Sequence, residues 1–166
     1  SYEMADNGSS YEEILEYFYS EGVEIANMNT VSGMFSFSIA PPQNLSELLE
    51  RSKKYKDMGI VMIAGQQFDM SQIYDYDHPY LGQCVWYARG RMLEMIYYSN
   101  MDDATKITAL NAIASTSANG EGWFDHQNLS IFQKSTDNTQ PMPGAFVSWS
   151  GGSDVCDPRC GHVAVV

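Results

Sequence analysis

Two residues stand out as able to do chemistry together, a cysteine and a histidine far apart in the chain. Cys84 lies in Gly82-Gln83-Cys84-Val85-Trp86-Tyr87-Ala88-Arg89-Gly90-Arg91. A loop of turn formers, Asp75-Tyr76-Asp77-His78-Pro79-Tyr80-Leu81-Gly82, leads into it. Behind it Val85, Ala88, Met92, Met95 and Ile96 fall at helical spacing. The spacing predicts Cys84 in the first turn of a helix, where unpaired N–H groups and the positive end of the macrodipole favour a thiolate. Such a nucleophile needs a base, and Gly161-His162-Val163-Ala164-Val165-Val166 supplies one. The chemistry expected of Cys84 and His162 is nucleophilic catalysis, with the histidine first taking and then returning a proton. An oxyanion needs donors. The Cys84 backbone N–H is one, and Gln83 is a candidate for a second through its side-chain NH2, or else a plain structural residue.

The elements that must position this pair follow from pattern. Ser9-Ser10-Tyr11-Glu12-Glu13 is a serine cap with acids in the first turn, and predicts a helix to about Tyr19. Val23-Glu24-Ile25 is a short strand candidate, and Ser32–Ile39 is a second. Asn44-Leu45-Ser46-Glu47 begins a helix that runs to about Asp57, and Ile60–Ala64 is strand-like. Met101-Asp102-Asp103-Ala104 starts another helix, capped by Asp102 or Asp103, with Ile107, Leu110 and Ile113 inward. Trp123–Gln133 stays ambiguous. Pro141–Gly144 is a turn, and Ala145–Trp149 and Gly161–Val166 read as strands. A cysteine helix followed by histidine-bearing strands is the arrangement of a papain-like α+β cysteine hydrolase, the nucleophile helix packed on an antiparallel sheet.

Composition narrows the partners. The 166 residues carry a formal net charge of −12, which argues against nucleic acid or an anionic membrane, since both attract a basic face. No apolar run reaches the roughly 18 residues of a spanning helix, so no membrane insertion is expected. No signal peptide is visible. The chain reads as a fragment at both ends, with an upstream region before Ser1 and strands beyond Val166.

The motifs resemble a known family. Gly82–Arg91 resembles the nucleophile segment of CHAP domains, the cysteine- and histidine-dependent amidohydrolases/peptidases. Pro143-Gly144-Ala145-Phe146-Val147-Ser148-Trp149 is similar to that family's first core strand, and Gly161–Val166 to its histidine strand. Trp123 sits where the family often has a tryptophan. The resemblance implies a secreted, bacteriolytic peptidoglycan hydrolase, bacterial or phage-encoded, acting outside the cell at the wall. It would be an N-acetylmuramoyl-L-alanine amidase or a stem or cross-bridge endopeptidase, with Cys84 as nucleophile and His162 as general base. The third polar residue of the family falls on a strand after the histidine and is not named here. Separately, Met4 to Ile25, including Tyr11-Glu12-Glu13-Ile14-Leu15-Glu16-Tyr17-Phe18-Tyr19, resembles the end of SpoIID-type lytic transglycosylases. The implied organisation is the tail of an upstream module over 1–40, a linker or extension over 41–73, and the CHAP domain over 74–166. An NlpC-type endopeptidase fits the Gln-Cys-x-Trp-Tyr run less well. The reading from a different class is a catalytically inactive cell-wall binding module on the same fold.

The remaining residues carry weaker signals. Cys156 and Cys160, in Cys156-Asp157-Pro158-Arg159-Cys160, are a possible disulfide or two free thiols. A zinc site needs about four ligands and finds too few here. Asp75, Asp77 and His78 could offer hard ligands to calcium, but the run is incomplete. No metal or cofactor is assigned. Trp86 and Tyr87 are expected in core or groove wall, Trp149 in core or cleft, and Arg89 and Arg91 as helix-surface charges. His126 is expected to face solvent.

Overall fold

The computed structural model describes residues 23–27, 29–30, 33–34, 38–117, 120–123, 133–135, 144–149 and 162–166. The predicted Ser9–Tyr19 helix, most of the SpoIID-like stretch, His126, the Pro141–Pro143 part of the turn and the Cys156–Cys160 loop lie outside these residues.

Strand β1 (Val23–Asn27) is followed by the two-residue strands β2 (Asn29–Thr30) and β3 (Gly33–Met34), which pair with each other. The strand expected over Ser32–Ile39 does not continue to its end: Ser38 to Pro41 has no regular secondary structure. Its backbone acceptors are taken by side chains instead. Arg91 donates to the Ile39 carbonyl at 2.6 Å and Arg51 to the Ala40 carbonyl at 2.7 Å.

Helix α1 (Leu45–Met58) starts where its sequence says it should. The Asn44 side chain accepts from the Glu47 N–H at 2.9 Å, and the Glu47 carboxylate accepts from the Gln43 N–H at 2.8 Å. This reciprocal arrangement satisfies donors that a helix start leaves open. Gly59, at φ +59°, ends it. Strands β4 (Ile60–Ile63) and β5 (Gln66–Asp69) form a hairpin around Ala64 and Gly65, both at positive φ, as a tight two-residue turn requires. Only Phe68 of β5 is buried, so the Gln-Gln-Phe-Asp stretch gave no periodic signal.

Helix α2 (Cys84–Tyr97) is central. Helix α3 (Asp103–Ser115) packs along it, capped by the Asp102 carboxylate on the Thr105 N–H at 2.9 Å. Strands β6 (Gln133–Ser135), β7 (Phe146–Trp149) and β8 (His162–Val165) join β1 in an antiparallel sheet of order β6-β1-β7-β8. The architecture is α+β. One core runs through it: Tyr55, Phe68, Met70, Ile73 and Tyr74 from the segment before α2, Met92, Leu93 and Ile96 from α2, Ile107, Leu110 and Ile113 from α3, and Phe146 and Val163 from the sheet. Each such side chain contributes about 1.5–3 kcal/mol by burial.

The two arginines expected on the helix surface are withdrawn from water, and the reason differs for each. Arg91 is 6% exposed and donates to Glu94 at 2.8 Å. Glu94 is fully buried and also accepts from Arg51 at 2.9 Å, from the Tyr74 hydroxyl at 3.1 Å and from the Tyr55 hydroxyl. Burial, with the Glu94 carboxylate adjacent, pushes both tyrosine hydroxyls far above their ordinary range. A buried carboxylate is tolerable because it is fully paired. Arg89 is half-buried at the other side of the helix and donates to the Thr116 carbonyl.

Candidate active site

Local chemistry puts Cys84 at the head of α2. Gly82 adopts φ +81°, the left-handed region that glycine enters without strain. Gln83 is then the N-cap residue, and Cys84 the first helical one. The cap makes no side-chain bond to the helix, so the Gln83 amide is left exposed beside the cysteine. The Cys84 thiol is free and partly buried. Trp86 is 6% exposed. It ties the preceding loop down: its indole N–H donates to the Asp75 carbonyl at 2.8 Å, and its ring meets Tyr76 edge-on at 5.8 Å and Tyr74 at 6.0 Å.

His162 is the first residue of β8 and pairs in register with Trp149 of β7. Strand β8 packs on helix α2. The structure therefore brings the helix opened by Cys84 against the strand opened by His162, with Gln83 immediately before the helix. His162 is partly buried, and that burial pulls its imidazole below the ordinary histidine range. Such a ring stays neutral, and so able to accept a proton, to lower pH than a solvated one.

Two residues that support His162 have no sequence signal. Gly120, in the short 3-10 turn Gly120–Gly122, lies against the His162 backbone. The buried Ser148 hydroxyl on β7 donates to the Gly120 carbonyl and holds that turn on the sheet. Trp123 follows, fully buried, its ring edge-on to Phe146 at 6.0 Å. A loop glycine and a strand serine look like many others, and only the pairing of distant segments gives them a position.

A cleft of about 400 Å³ opens beside the start of α2. Gln83, Val85, Trp86 and Arg89 line one wall, Tyr80 and His78 the loop side, and Ala114 to Ser117 the end of α3 and the residues just after it. Trp86 is thus both core and groove wall. Asp75 and Asp77 have local partners: the Asp75 carboxylate accepts from the Asp77 N–H at 2.9 Å, and Asp77 pairs with Lys56 at 3.2 Å. Among the described residues no group of three or more His, Cys, Asp or Glu converges to hold a metal ion. None of the helices among them is long and apolar enough to cross a membrane. Cys156 and Cys160 and the side chain of Trp149 lie outside the described residues.

The sequence model of the CHAP domain matches residues 73–166, more than half of the chain. No curated protein and no solved structure matches the chain.

Proposed function

The chain belongs to the CHAP domain family, and from that premise we propose that it cuts an amide bond of peptidoglycan with Cys84 as nucleophile and His162 as general base. CHAP domains are in general hydrolytic enzymes of the cell wall, with peptidoglycan as substrate. The observation that carries the finer reading is the packing of α2, headed by Cys84, on β8, headed by His162. The helix-on-sheet layout is the one a papain-like hydrolase uses, and it supports that comparison.

In the proposed reaction the Cys84 sulfur attacks the amide carbonyl carbon as His162 takes up the thiol proton. The carbonyl oxygen becomes an oxyanion, stabilised by N–H groups at the start of α2 and by the Gln83 side-chain amide. The C–N bond then breaks, and His162 returns the proton to the leaving amine. Water, deprotonated by His162, attacks the thioester, and the carboxylic acid leaves as Cys84 is regenerated. The acyl group is either the lactyl of muramic acid, making the enzyme an amidase, or a peptide carbonyl, making it an endopeptidase. The reading also carries the extracellular, wall-facing location and the division of the chain into a CHAP domain from residue 74 with an extension over 41–73.

The test is mass spectrometry of the soluble fragments released from purified peptidoglycan by the protein and by Cys84→Ala. New L-alanine amino termini beside intact glycan identify an amidase. New termini inside the stem or cross-bridge identify an endopeptidase. Release by neither protein returns the chain to the class of inactive wall-binding modules, and equal release by both removes Cys84 from the mechanism.

A further inference from the structure

Among the described residues, the cleft beside α2 holds a charge with no counter-charge. Arg89 lines it together with Trp86, Tyr80 and Gln83. One guanidinium nitrogen, Nη2, donates to the Thr116 carbonyl, while Nε is enclosed in protein with no acceptor. Among the described residues no carboxylate pairs with Arg89. Arg51 and Arg91 are handled differently: both reach Glu94. The contrast is informative because acidic side chains are abundant, with 21 Asp and Glu against 9 Lys and Arg. Desolvating a charge without pairing it is unfavourable, and burial pulls the Arg89 guanidinium below its ordinary value. A planar fork of N–H donors in a cleft wall is suited to a carboxylate from outside.

We propose that Arg89 is a specificity-determining residue that binds a free carboxylate of the peptidoglycan stem peptide in this cleft. The proposal rests on the peptidoglycan reading above and deepens it. Arg89 follows Cys84 by five residues on one helix, about 7.5 Å along the axis and about 140° round it at 3.6 residues per turn. The cleft is thus on a different face of α2 from the thiol, and meets the site of attack at the helix start through Gln83. Trp86 and Tyr80 give the same cleft aromatic walls. Stem peptides carry carboxyl groups that are either free or amidated, and amidation removes the charge that Arg89 recognises. The enzyme is accordingly selective for the free form.

Isothermal titration calorimetry on the chain carrying Cys84→Ala, which leaves the ligand uncut, tests this. The two probes are a disaccharide tripeptide with free carboxyl groups and the same compound with every carboxyl converted to the amide. The expected result is a Kd at least tenfold weaker for the amide. Adding Arg89→Gln is expected to abolish that difference, and Arg89→Lys, which keeps the charge but not the fork, to retain part of it. Equal binding of both probes by the Cys84→Ala chain overturns the proposal without reference to any Arg89 variant. Undiminished discrimination after Arg89→Gln overturns it too. Fragment release by the unsubstituted chain is read separately. Release without discrimination sinks the subsite alone, and discrimination without release sinks the hydrolase reading while the subsite stands.

Discussion

A Cβ on residue 120 would lie 2.5 Å from the carbonyl carbon of His162 and 2.7 Å from its Cα. Gly120 and His162 are thus in backbone-to-backbone contact, and the absence of a side chain at 120 lets the turn after α3 lie on the strand that carries the proposed base.

Gly120→Ala is expected to push β8 away and to misplace His162. Since a displacement near 1 Å suffices to cost a catalytic group about 100-fold, turnover should fall by one to two orders of magnitude. The accompanying overpacking should lower stability by about 1–3 kcal/mol. Ser148→Ala leaves the same turn in place but removes its tether, the bond to the Gly120 carbonyl, at about 1–2 kcal/mol. Turnover and urea denaturation of the two variants side by side check this. A Gly120→Ala protein with full activity would disconnect the contact from catalysis.

The pH dependence of stability follows from His162. Its imidazole is held low by burial in the folded state, so below about pH 6.5, the ordinary histidine value, the unfolded chain binds more protons. Stability then rises with pH up to that value and is lost as pH falls toward the folded pKa. Two carboxylates at helix starts, Glu47 and Asp102, act in a lower window. Glu47 is held low chiefly by its bond from the Gln43 N–H, and Asp102 by its bond from the Thr105 N–H. Their contribution is present above about pH 4 and lost below it. Melting temperatures from pH 7 to 3 should show both falls, and His162→Gln should remove the upper one alone. The acid limb of the turnover profile should likewise lie below pH 6.5.

Glu94→Gln tests the buried charge cluster. The carboxylate holds Arg51 and Arg91, and the same two arginines hold Ile39 and Ala40. Removing one partner of a buried ion pair typically costs about 3–5 kcal/mol because the other charge stays buried. A large drop in the urea midpoint is expected. A loss under about 1 kcal/mol would show that the arginines find water or another partner.

Gly90 packs under Tyr74, where a Cβ would come within 2.4 Å of ring carbon Cδ1. Gly90→Ala is expected to displace the Tyr74 ring and to destabilise by about 1–3 kcal/mol, although alanine is the better helix former by about 1 kcal/mol. Thermal denaturation gives the sign directly, and a rise in melting temperature would mean that the ring moves aside freely.

A chain beginning at residue 73, where the family match begins, is expected not to fold. It lacks Tyr55, Phe68 and Met70, all essentially buried in the core shared with α2 and α3. At about 1.5–3 kcal/mol each their loss approaches the whole 5–15 kcal/mol by which a domain is stable. Circular dichroism of the shortened chain checks it, and a cooperative melt would show the extension to be dispensable.

What could be read from the sequence is what short-range physics sets. Asn44 and Asp102 announce two helix starts through side-chain bonds to N–H groups three residues on, and the apolar spacing after Cys84 announces a third. Those signals need no partner from elsewhere in the chain. They also put Cys84 at a helix head and His162 on a strand, so both candidate residues were legible one at a time. Their neighbours were not. Arg89 and Arg91 look alike on the helix, yet one meets Glu94 and the segment ending at Ala40, and the other meets the Thr116 carbonyl in a cleft wall. Strand β5 has a single buried side chain and no period to detect. Gly120 becomes a support for His162 only when residues more than 40 positions apart in sequence come into contact. Burial and pairing belong to the meeting of distant segments, and tertiary structure alone decides which segments meet.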